Sequence, residues 1–286
     1  MRQALRFYAL ILGIFLFLVI NVQNIPRTYQ YYFAENIDNA YSDEYNHSAA
    51  LAEASYARAL DGLGINLHPG TTYNKNSQSD PRSLNHCKSL VYKTLQSVPK
   101  AHGDHLQNLT LYFADGRRGL GGGSTIILRC SNVSDQELVS VLVHEIGHIV
   151  DTGLKTGTPD SGASEFKDGH IPIYKNDVSL RFYRISWEND TTRKPHSKDS
   201  DFVTGYAKTD PFEDFAETYN FYLLHGRQFR AMAKTNNILN RKYLFMKYFI
   251  FSGKEYDYNT FTAVNPHHRH YDSTLLSYDF TRFMKS

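Results

Sequence analysis

The chain has 286 residues, which is enough for one large domain or two small ones. Its formal net charge is +2, so bulk electrostatics give no indication of a nucleic-acid partner. There are only two cysteines, Cys87 and Cys130, so at most one disulfide can form within the chain.

The first residues have the pattern of a targeting segment. Arg2 and Arg6 precede an apolar run at 7–20, and polar residues follow it. No small-x-small cleavage site follows the run, which favours an uncleaved signal-anchor at 1–24. The alternative is a signal peptide that is cleaved, with secretion of the rest. In both cases the arginines place the N-terminus in the cytoplasm and the remaining chain in the periplasm or the extracellular space.

Three regions are expected after this segment. A polar, tyrosine-rich stalk occupies 25–46, a folded domain 47–235, and a helical extension 236–286. Because compartments outside the cytoplasm are oxidising, Cys87 and Cys130 can form a disulfide there. Two reduced, buried thiols are the alternative.

Two strand patterns occur in the first half of the folded domain. Residues 109–113 alternate in polarity, and residues 125–130 form a second β-rich segment. The glycine-rich stretch between them has two interpretations. It is either a flexible hairpin connection or a strand edge that a substrate peptide can approach closely and pair with. The positions that would allow this approach are Gly121, Gly122, Gly123 and Ser124.

Residues 144–148 spell His-Glu-Ile-Gly-His within an apolar helical pattern. Positions four apart lie on one face of a helix, so His144 and His148 can bind one metal ion. Glu145 follows the first ligand and can reach a water molecule on that metal. Two imidazoles and a carboxylate base are the minimum apparatus of a zinc hydrolase. The alternative is a surface helix with incidental histidines, which does not fit the apolar neighbours.

Capping patterns predict where two helices begin. Ser134 and Glu137 form a capping-box pattern, which places the start of the motif helix at Asp135. Further along, Thr209 or Asp210 can cap a second helix that has proline in its first turn.

A catalytic zinc site needs a third protein ligand. The metzincin extension would place glycine and histidine where Asp151 and Leu154 stand, so that pattern is excluded. Glu165 is one candidate, although its surroundings have weak helical character. Glu213 and Glu217 are the better pair, because they are four apart on the second helix and lie among aromatic residues.

The two glutamates receive different expected roles. Glu213 should bind the metal, and Glu217 should hydrogen-bond the other nitrogen of a ligand histidine, which fixes its tautomer. Asp151 follows His148 by three residues and could do the same. Asp214 faces another direction and is expected to be a cap or a surface residue.

The combination of H-E-x-x-H with a downstream Y-x6-E-x-x-A-E resembles the catalytic domain of the anthrax lethal factor and Pro-Pro endopeptidase group, over roughly 109–226. The matching residues are His144, Glu145, His148, Tyr206, Glu213 and Glu217. The resemblance implies a zincin-like α+β domain with a small mixed sheet and one zinc ion per chain. Its ligands would be His144, His148 and Glu213. It further implies that Glu145 is the general base and that Tyr206 stabilises the transition state. A tyrosine of the core is the alternative for Tyr206.

The sequence therefore predicts a membrane-tethered zinc endopeptidase that acts outside the cytoplasm on a protein or peptide substrate, with Glu145 as the base on a zinc-bound water. The resemblance does not reach the N-terminal segment or the C-terminal tail, so it implies no cleavage specificity. Two alternatives stay open: another metal-dependent hydrolase on the same frame, and a non-catalytic interaction module that binds zinc. The intact Glu145 favours an enzyme, because a structural zinc site does not need that carboxylate.

Overall fold

The two predicted strands are the central pair of a four-stranded sheet. The structure, a computed structural model, describes residues 55–69, 81–260 and 270–286. The predicted signal-anchor at 1–24 and the stalk at 25–46 lie outside the described residues. Within those three ranges, no helix is both long and apolar enough to cross a membrane.

The large sheet is mixed, with strand order β1-β2-β4-β3. The pairs β1–β2 and β2–β4 are parallel, whereas β3 runs antiparallel to β4 and forms the edge. A separate antiparallel hairpin, β5–β6, follows later in the chain. The strands are β1 (Asn66–Pro69), β2 (Asn108–Tyr112), β3 (Gly119–Gly122), β4 (Thr125–Arg129), β5 (Ala163–Asp168) and β6 (Ile171–Tyr174).

The remaining described elements are mainly helical, which makes the fold α+β. Residues 55–61 are helical. The α-helices that follow are α1 (Pro81–Ser97), α2 (Lys100–Gly103), α3 (Asp135–Ile149), α4 (Leu180–Ser186), α5 (Pro211–Leu224), α6 (Gly226–Thr235), α7 (Asn237–Phe245) and α8 (Phe280–Phe283). We call α3 the motif helix and α5 the glutamate helix. Single π-helical turns, Val150–Leu154 and Met246–Ile250, continue α3 and α7.

The core lies between the sheet and the two long helices. Alternate residues of β2 and β4 are buried, and the motif helix packs against β3, β4, α1 and the glutamate helix. Nearly every side chain of the motif helix from Leu138 onward is buried. Each fully buried leucine or isoleucine contributes about 1.5–3 kcal/mol. The motif helix is therefore a rigid element of the core.

The glycine stretch differs from the flexible connection considered above. It forms the edge strand β3, and the hairpin turn is at Gly123 and Ser124. A Cβ atom on Gly121 would stand 2.7 Å from the backbone oxygen of Glu145, so the motif helix packs directly on this strand. Glycine is needed here for close packing with the helix.

The C-terminal region is continuous with the rest of the fold. Residues 236–260 and 270–286 belong to the same compact unit as the motif helix and the glutamate helix. A disulfide joins Cys87 of α1 to Cys130, which directly follows β4. This bond fixes α1 to the central part of the sheet.

Candidate metal centre

The motif helix begins where its capping pattern predicts. The Ser134 hydroxyl accepts a hydrogen bond from the backbone N–H of Glu137 at 3.2 Å, and the helix starts at Asp135. This confirms the predicted start. Because the helix is regular as far as Ile149, His144 and His148 lie one turn apart on the same face.

The glutamate helix also begins at a predicted cap. The Asp210 carboxylate accepts hydrogen bonds from the backbone N–H groups of Phe212 and Glu213 at 2.9 and 2.8 Å. Of the two capping candidates, the structure selects Asp210, and Pro211 occupies the first helical position. The cap fixes the first turn, which carries Glu213.

Gly147 brings the two helices together. A Cβ atom at this position would lie 2.9 Å from the Cα atom of Ala216 and 3.2 Å from the Cβ atom of Tyr219. No larger side chain fits without moving one helix away from the other. The glycine of the His-Glu-Ile-Gly-His motif therefore sets the spacing that places the glutamates against the histidines.

Three donor groups meet at this crossing. The Nε2 atoms of His144 and His148 lie 3.1 and 3.4 Å from the same oxygen of Glu213, Oε2. The candidate ligand atoms of these three residues all lie within 4.8 Å of one another. Two imidazole nitrogens and one carboxylate oxygen are a donor set that zinc prefers, and it leaves one coordination position open. The three residues therefore fit a bound metal ion such as zinc.

The charges of these groups are strongly coupled. Burial opposes ionisation of Glu213, but hydrogen bonds from His144 and His148 hold the pKa of its carboxyl well below the ordinary value. Burial likewise lowers the pKa of His144, and the carboxylates of Glu213 and Glu217 more than offset this and raise it well above 6.5. The site thus concentrates negative charge around the two imidazoles, which favours a bound cation.

Glu217 lies on the far side of His144. Its Oε1 atom is 3.0 Å from Nδ1 of His144, and the carboxylate is fully buried. The Glu217 carboxylate accepts from Nδ1, so Nε2, which lies 3.1 Å from Glu213, is the ring nitrogen that is directed at the centre. The hydroxyl of Thr204 donates to Oε2 of Glu217 at 2.5 Å, and Ser273 adds two further hydrogen bonds.

Glu145 faces the same cleft from the motif helix. The cleft has a volume of about 590 Å³, and its wall includes Glu145, His144, His148 and Glu213. Burial raises the pKa of the Glu145 carboxyl, which the nearby histidines oppose. The backbone N–H of Gly121 donates a hydrogen bond to this carboxylate, so the edge strand orients it.

Tyr206 also lines the cleft, from a short 3-10 turn before the glutamate helix. Its hydroxyl donates to Oε1 of Glu213 at 3.0 Å, and its ring centroid is 6.2 Å from that of His144. Burial and the adjacent carboxylate raise the pKa of its phenol above 10. The group is therefore a hydrogen-bond donor at neutral pH.

Asp151 is not placed as the sequence suggests. Its Oδ2 atom accepts a hydrogen bond from the Tyr183 hydroxyl at 2.7 Å, and among the described residues we find no hydrogen bond from Asp151 to His148. The helix changes to a π-turn at Val150–Leu154, so the positions after His148 leave the face predicted for an α-helix. Burial raises the pKa of Asp151 to about 8.

Two other acidic residues have structural partners. Asp214, expected at a cap or on the surface, is fully buried and paired with the Lys242 ammonium at 2.7 Å. Glu165, the competing ligand candidate, is exposed and paired with Arg184 at 2.6 Å. Neither belongs to the group of three donors.

The cleft wall includes only part of the glycine stretch. It is formed there by Gly119, Leu120 and Gly121. Of the positions suggested for contact with a substrate strand, only Gly121 lies on the wall. The other three, Gly122, Gly123 and Ser124, are at the end of β3 and in the turn that follows it. A substrate strand would therefore lie nearer the start of β3 than the sequence indicates.

Sequence reasoning missed several residues that support the site. Thr204 and Ser273 bind Glu217, and Arg118 joins Ser273's segment to the edge strand. Thr204 is 13 residues before Glu217 and Ser273 is 56 after it. No periodic or spacing pattern connects such distant positions, so no signal in the sequence could have found them.

Comparisons of this chain with protein-family models, curated proteins and solved structures find no match. The assignment of a function therefore depends on the geometry of the site.

Proposed function

We propose that this protein is a zinc-dependent endopeptidase of the zincin type, resembling the lethal factor and Pro-Pro endopeptidase group. The observation that carries the proposal is the convergence of His144, His148 and Glu213 within 4.8 Å, in a cleft that also contains Glu145. A structural metal site has no need of an open cleft or of a carboxylate beside its ligands. Both features favour catalysis.

Each side chain has a role that follows from its position. His144, His148 and Glu213 would hold zinc, which supplies a Lewis acid for the substrate carbonyl and makes water more acidic. Glu145 would accept a proton from water at its carboxylate and hold it until the leaving amine takes it. Tyr206, which here donates to Glu213, would donate to the oxygen that becomes negative in the transition state.

The edge strand favours a polypeptide substrate. β3 borders the cleft and, within the part of the chain that the structure describes, pairs on one side only, with β4. An extended peptide can add to such an edge through backbone hydrogen bonds, which bind chains of many sequences. We therefore propose that the substrate lies along β3 with its scissile bond beside Glu145.

The proposed localisation of the folded domain is outside the cytoplasm, where the N-terminal segment would anchor it to the membrane. The disulfide between Cys87 and Cys130 supports this, because disulfides persist in oxidising compartments.

Metal analysis and proteolysis of the purified full-length chain test the proposal together. Wild type, Glu145→Gln and Asp135→Asn are compared on a degenerate peptide library. Asp135 is the matched control, because it is an exposed carboxylate in the first turn of the same helix. We expect one zinc ion in every chain, and a loss of about 10²–10⁴-fold in cleavage for Glu145→Gln alone.

Three results would overturn the proposal in different ways. A wild-type chain that binds no zinc would contradict the proposed metal site. Bound zinc without cleavage by any of the three chains would favour the non-catalytic interaction module. Equal cleavage by wild type and Glu145→Gln would show that another group is the base.

A further inference from the structure

A segment close to the C-terminus lies against the metal centre. Residues 270–276, which we call the C-terminal strap, contact both the motif helix and the glutamate helix. Backbone N–H groups of Gly205 and Tyr206 donate to the carbonyl oxygens of His270 and Tyr271 at 2.8 and 2.6 Å. The strap is therefore bound to the turn that presents Tyr206.

Ser273 connects the strap to the ligand set. Its backbone N–H donates to Oε2 of Glu217 at 2.9 Å, and its hydroxyl donates to Oε1 at 2.8 Å. That same Oε1 accepts from Nδ1 of His144. All three side chains are buried, with Ser273 and Glu217 fully so. The orientation of His144 thus depends on a carboxylate that Ser273 holds through two hydrogen bonds.

Arg118 fixes the other side of the strap. It directly precedes β3, and its guanidinium donates to the Thr274 hydroxyl at 2.7 Å and forms an ion pair with Asp272. The same guanidinium binds Glu137 of the motif helix at 3.1 Å. Charge-assisted hydrogen bonds of this kind are about twice as strong as neutral ones. The strap is held from the edge strand, the motif helix and the glutamate helix at once.

We propose that Ser273 is a positioning residue of the metal centre, and that docking of the C-terminal strap and binding of the metal stabilise each other. Docking fixes Glu217, which fixes the ring of His144 in the orientation that presents Nε2. A bound ion that fixes His144 must, by thermodynamic linkage, favour the docked strap by the same factor. The inference rests on the metal-binding part of the proposed function and not on peptidase activity.

Zinc titration of the metal-free, full-length chain tests the role of Ser273. Ser273→Ala removes the hydroxyl that binds Glu217. The matched control is Ser140→Ala, which removes another buried hydroxyl, on the motif helix, that binds Asn220 of the glutamate helix instead. We expect zinc affinity to fall about 10-fold in Ser273→Ala, as for other residues that orient a ligand, and to stay at the wild-type value in Ser140→Ala.

Hydrogen exchange of the wild-type chain tests the linkage without any variant. Addition of Zn²⁺ alone should slow exchange of the Ser273 and Tyr206 amides, which both donate hydrogen bonds in the docked strap. A purely structural role for Ser273 predicts that these amides slow no more than amides remote from the site, such as those of α7. This measurement also decides the matter if Ser273→Ala does not fold.

The outcomes separate this inference from the proposed function. Equal zinc affinity of wild type and Ser273→Ala, or amide exchange in the strap that does not respond to zinc, would overturn the inference and leave the metal site intact. A wild-type chain that binds no zinc would overturn both.

Discussion

The glutamate helix buries two carboxylates, Asp214 and Glu217, that are three residues apart and fully hidden from solvent. Their surroundings are opposite in character. Asp214 meets the Lys242 ammonium, which contacts both of its oxygens at 2.8 and 2.7 Å, and it also accepts from the indole of Trp187. Glu217 meets hydroxyl groups, a backbone N–H and the imidazole of His144. The charge of Asp214 is therefore compensated locally by a cation of the fold.

We therefore expect Asp214 to contribute to the stability of the fold and Glu217 to contribute to metal binding. A carboxylate with its own lysine has little influence on a distant metal, whereas Glu217 can transmit its charge to the centre through His144. Both carboxylates are equally buried, but Asp214 is neutralised by Lys242, whereas Glu217 contacts a candidate metal ligand, His144. Variants of the partners, rather than of the carboxylates, test this comparison most directly.

Removal of Lys242 should have the largest effect. Lys242→Met leaves the Asp214 carboxylate buried without its cation, which typically costs about 3–5 kcal/mol of unfolding free energy. Urea denaturation measures this loss, and zinc affinity of the remaining folded protein should not change. Lys247→Met is the control, because the partly exposed Lys247 pairs with the exposed Glu255, and it should change the free energy of unfolding by less than about 1 kcal/mol. A fall in zinc affinity for Lys242→Met would contradict the separation of the two carboxylates.

A double variant sharpens that result. Asp214→Asn with Lys242→Met removes both members of the buried ion pair, so it should be more stable than Lys242→Met alone. If it is less stable, the Asp214 carboxylate stabilises the fold through its other partners, the Trp187 indole and the Thr218 hydroxyl, and not through the ion pair.

The free energy of unfolding should depend on pH through His102, which contacts a third buried polar residue of the glutamate helix, Tyr219. Tyr219 pairs with His102, whose Nδ1 is 2.9 Å from its hydroxyl and whose Nε2 lies 3.1 Å from the carbonyl oxygen of Ile250. Burial lowers the pKa of His102 to about 4. Since the unfolded chain binds this proton near pH 6.5, stability should fall as the pH drops from about 6.5 to 4, by about 3 kcal/mol in total.

Urea denaturation of wild type and His102→Gln across this pH range isolates the contribution. Glutamine retains a donor and an acceptor and does not titrate, so its stability should fall less steeply with acid. The difference at pH 8 reports the altered hydrogen bonds alone. Parallel pH profiles for the two proteins would show that other groups cause the acid sensitivity.

The local parts of the site were predictable from the sequence, and the tertiary parts were not. Helix starts at Asp135 and Pro211 follow from side-chain caps within three residues, and the spacing of four places His144 and His148 on one face. The pairing of Asp214 with Lys242 joins residues 28 apart in sequence, on two different helices. Such a contact depends on how the helices pack, for which a single sequence gives no pattern.

Asp151, whose hydrogen-bond partner is Tyr183, differs from the sequence expectation for another reason. The spacing argument assumes that the motif helix continues as an α-helix, and the π-turn at Val150–Leu154 violates that assumption. The Thr152 hydroxyl bonds to the carbonyl oxygen of His148 and to the N–H of Gly123, at the same place where the helix meets the hairpin turn. The turn geometry is set by this packing, which is a tertiary effect.

Two threonines that each donate to one of the carboxylates make the finest comparison. Thr218→Val removes a bond of 3.4 Å to Asp214, which keeps Lys242 and Trp187, so the change should be below about 1 kcal/mol and without effect on zinc. Thr204→Val removes the 2.5 Å bond to Glu217, so zinc affinity should fall about 10-fold.

Both replacements are close in shape, so packing is nearly constant. They differ in the partner carboxylate and in one further hydrogen bond, because the Thr204 hydroxyl also accepts from the backbone N–H of Ala207 at 3.2 Å. Calorimetric zinc titration of the two variants gives the measurement, with urea denaturation to confirm that each is folded. If both variants lose zinc affinity equally, the two carboxylates act as one buried unit, and the distinction between a structural and a binding carboxylate on this helix is wrong. If only Thr204→Val loses zinc affinity, neutral hydrogen-bond donors set the orientation of Glu217. Asp214, in contrast, is held by an ionic partner, Lys242.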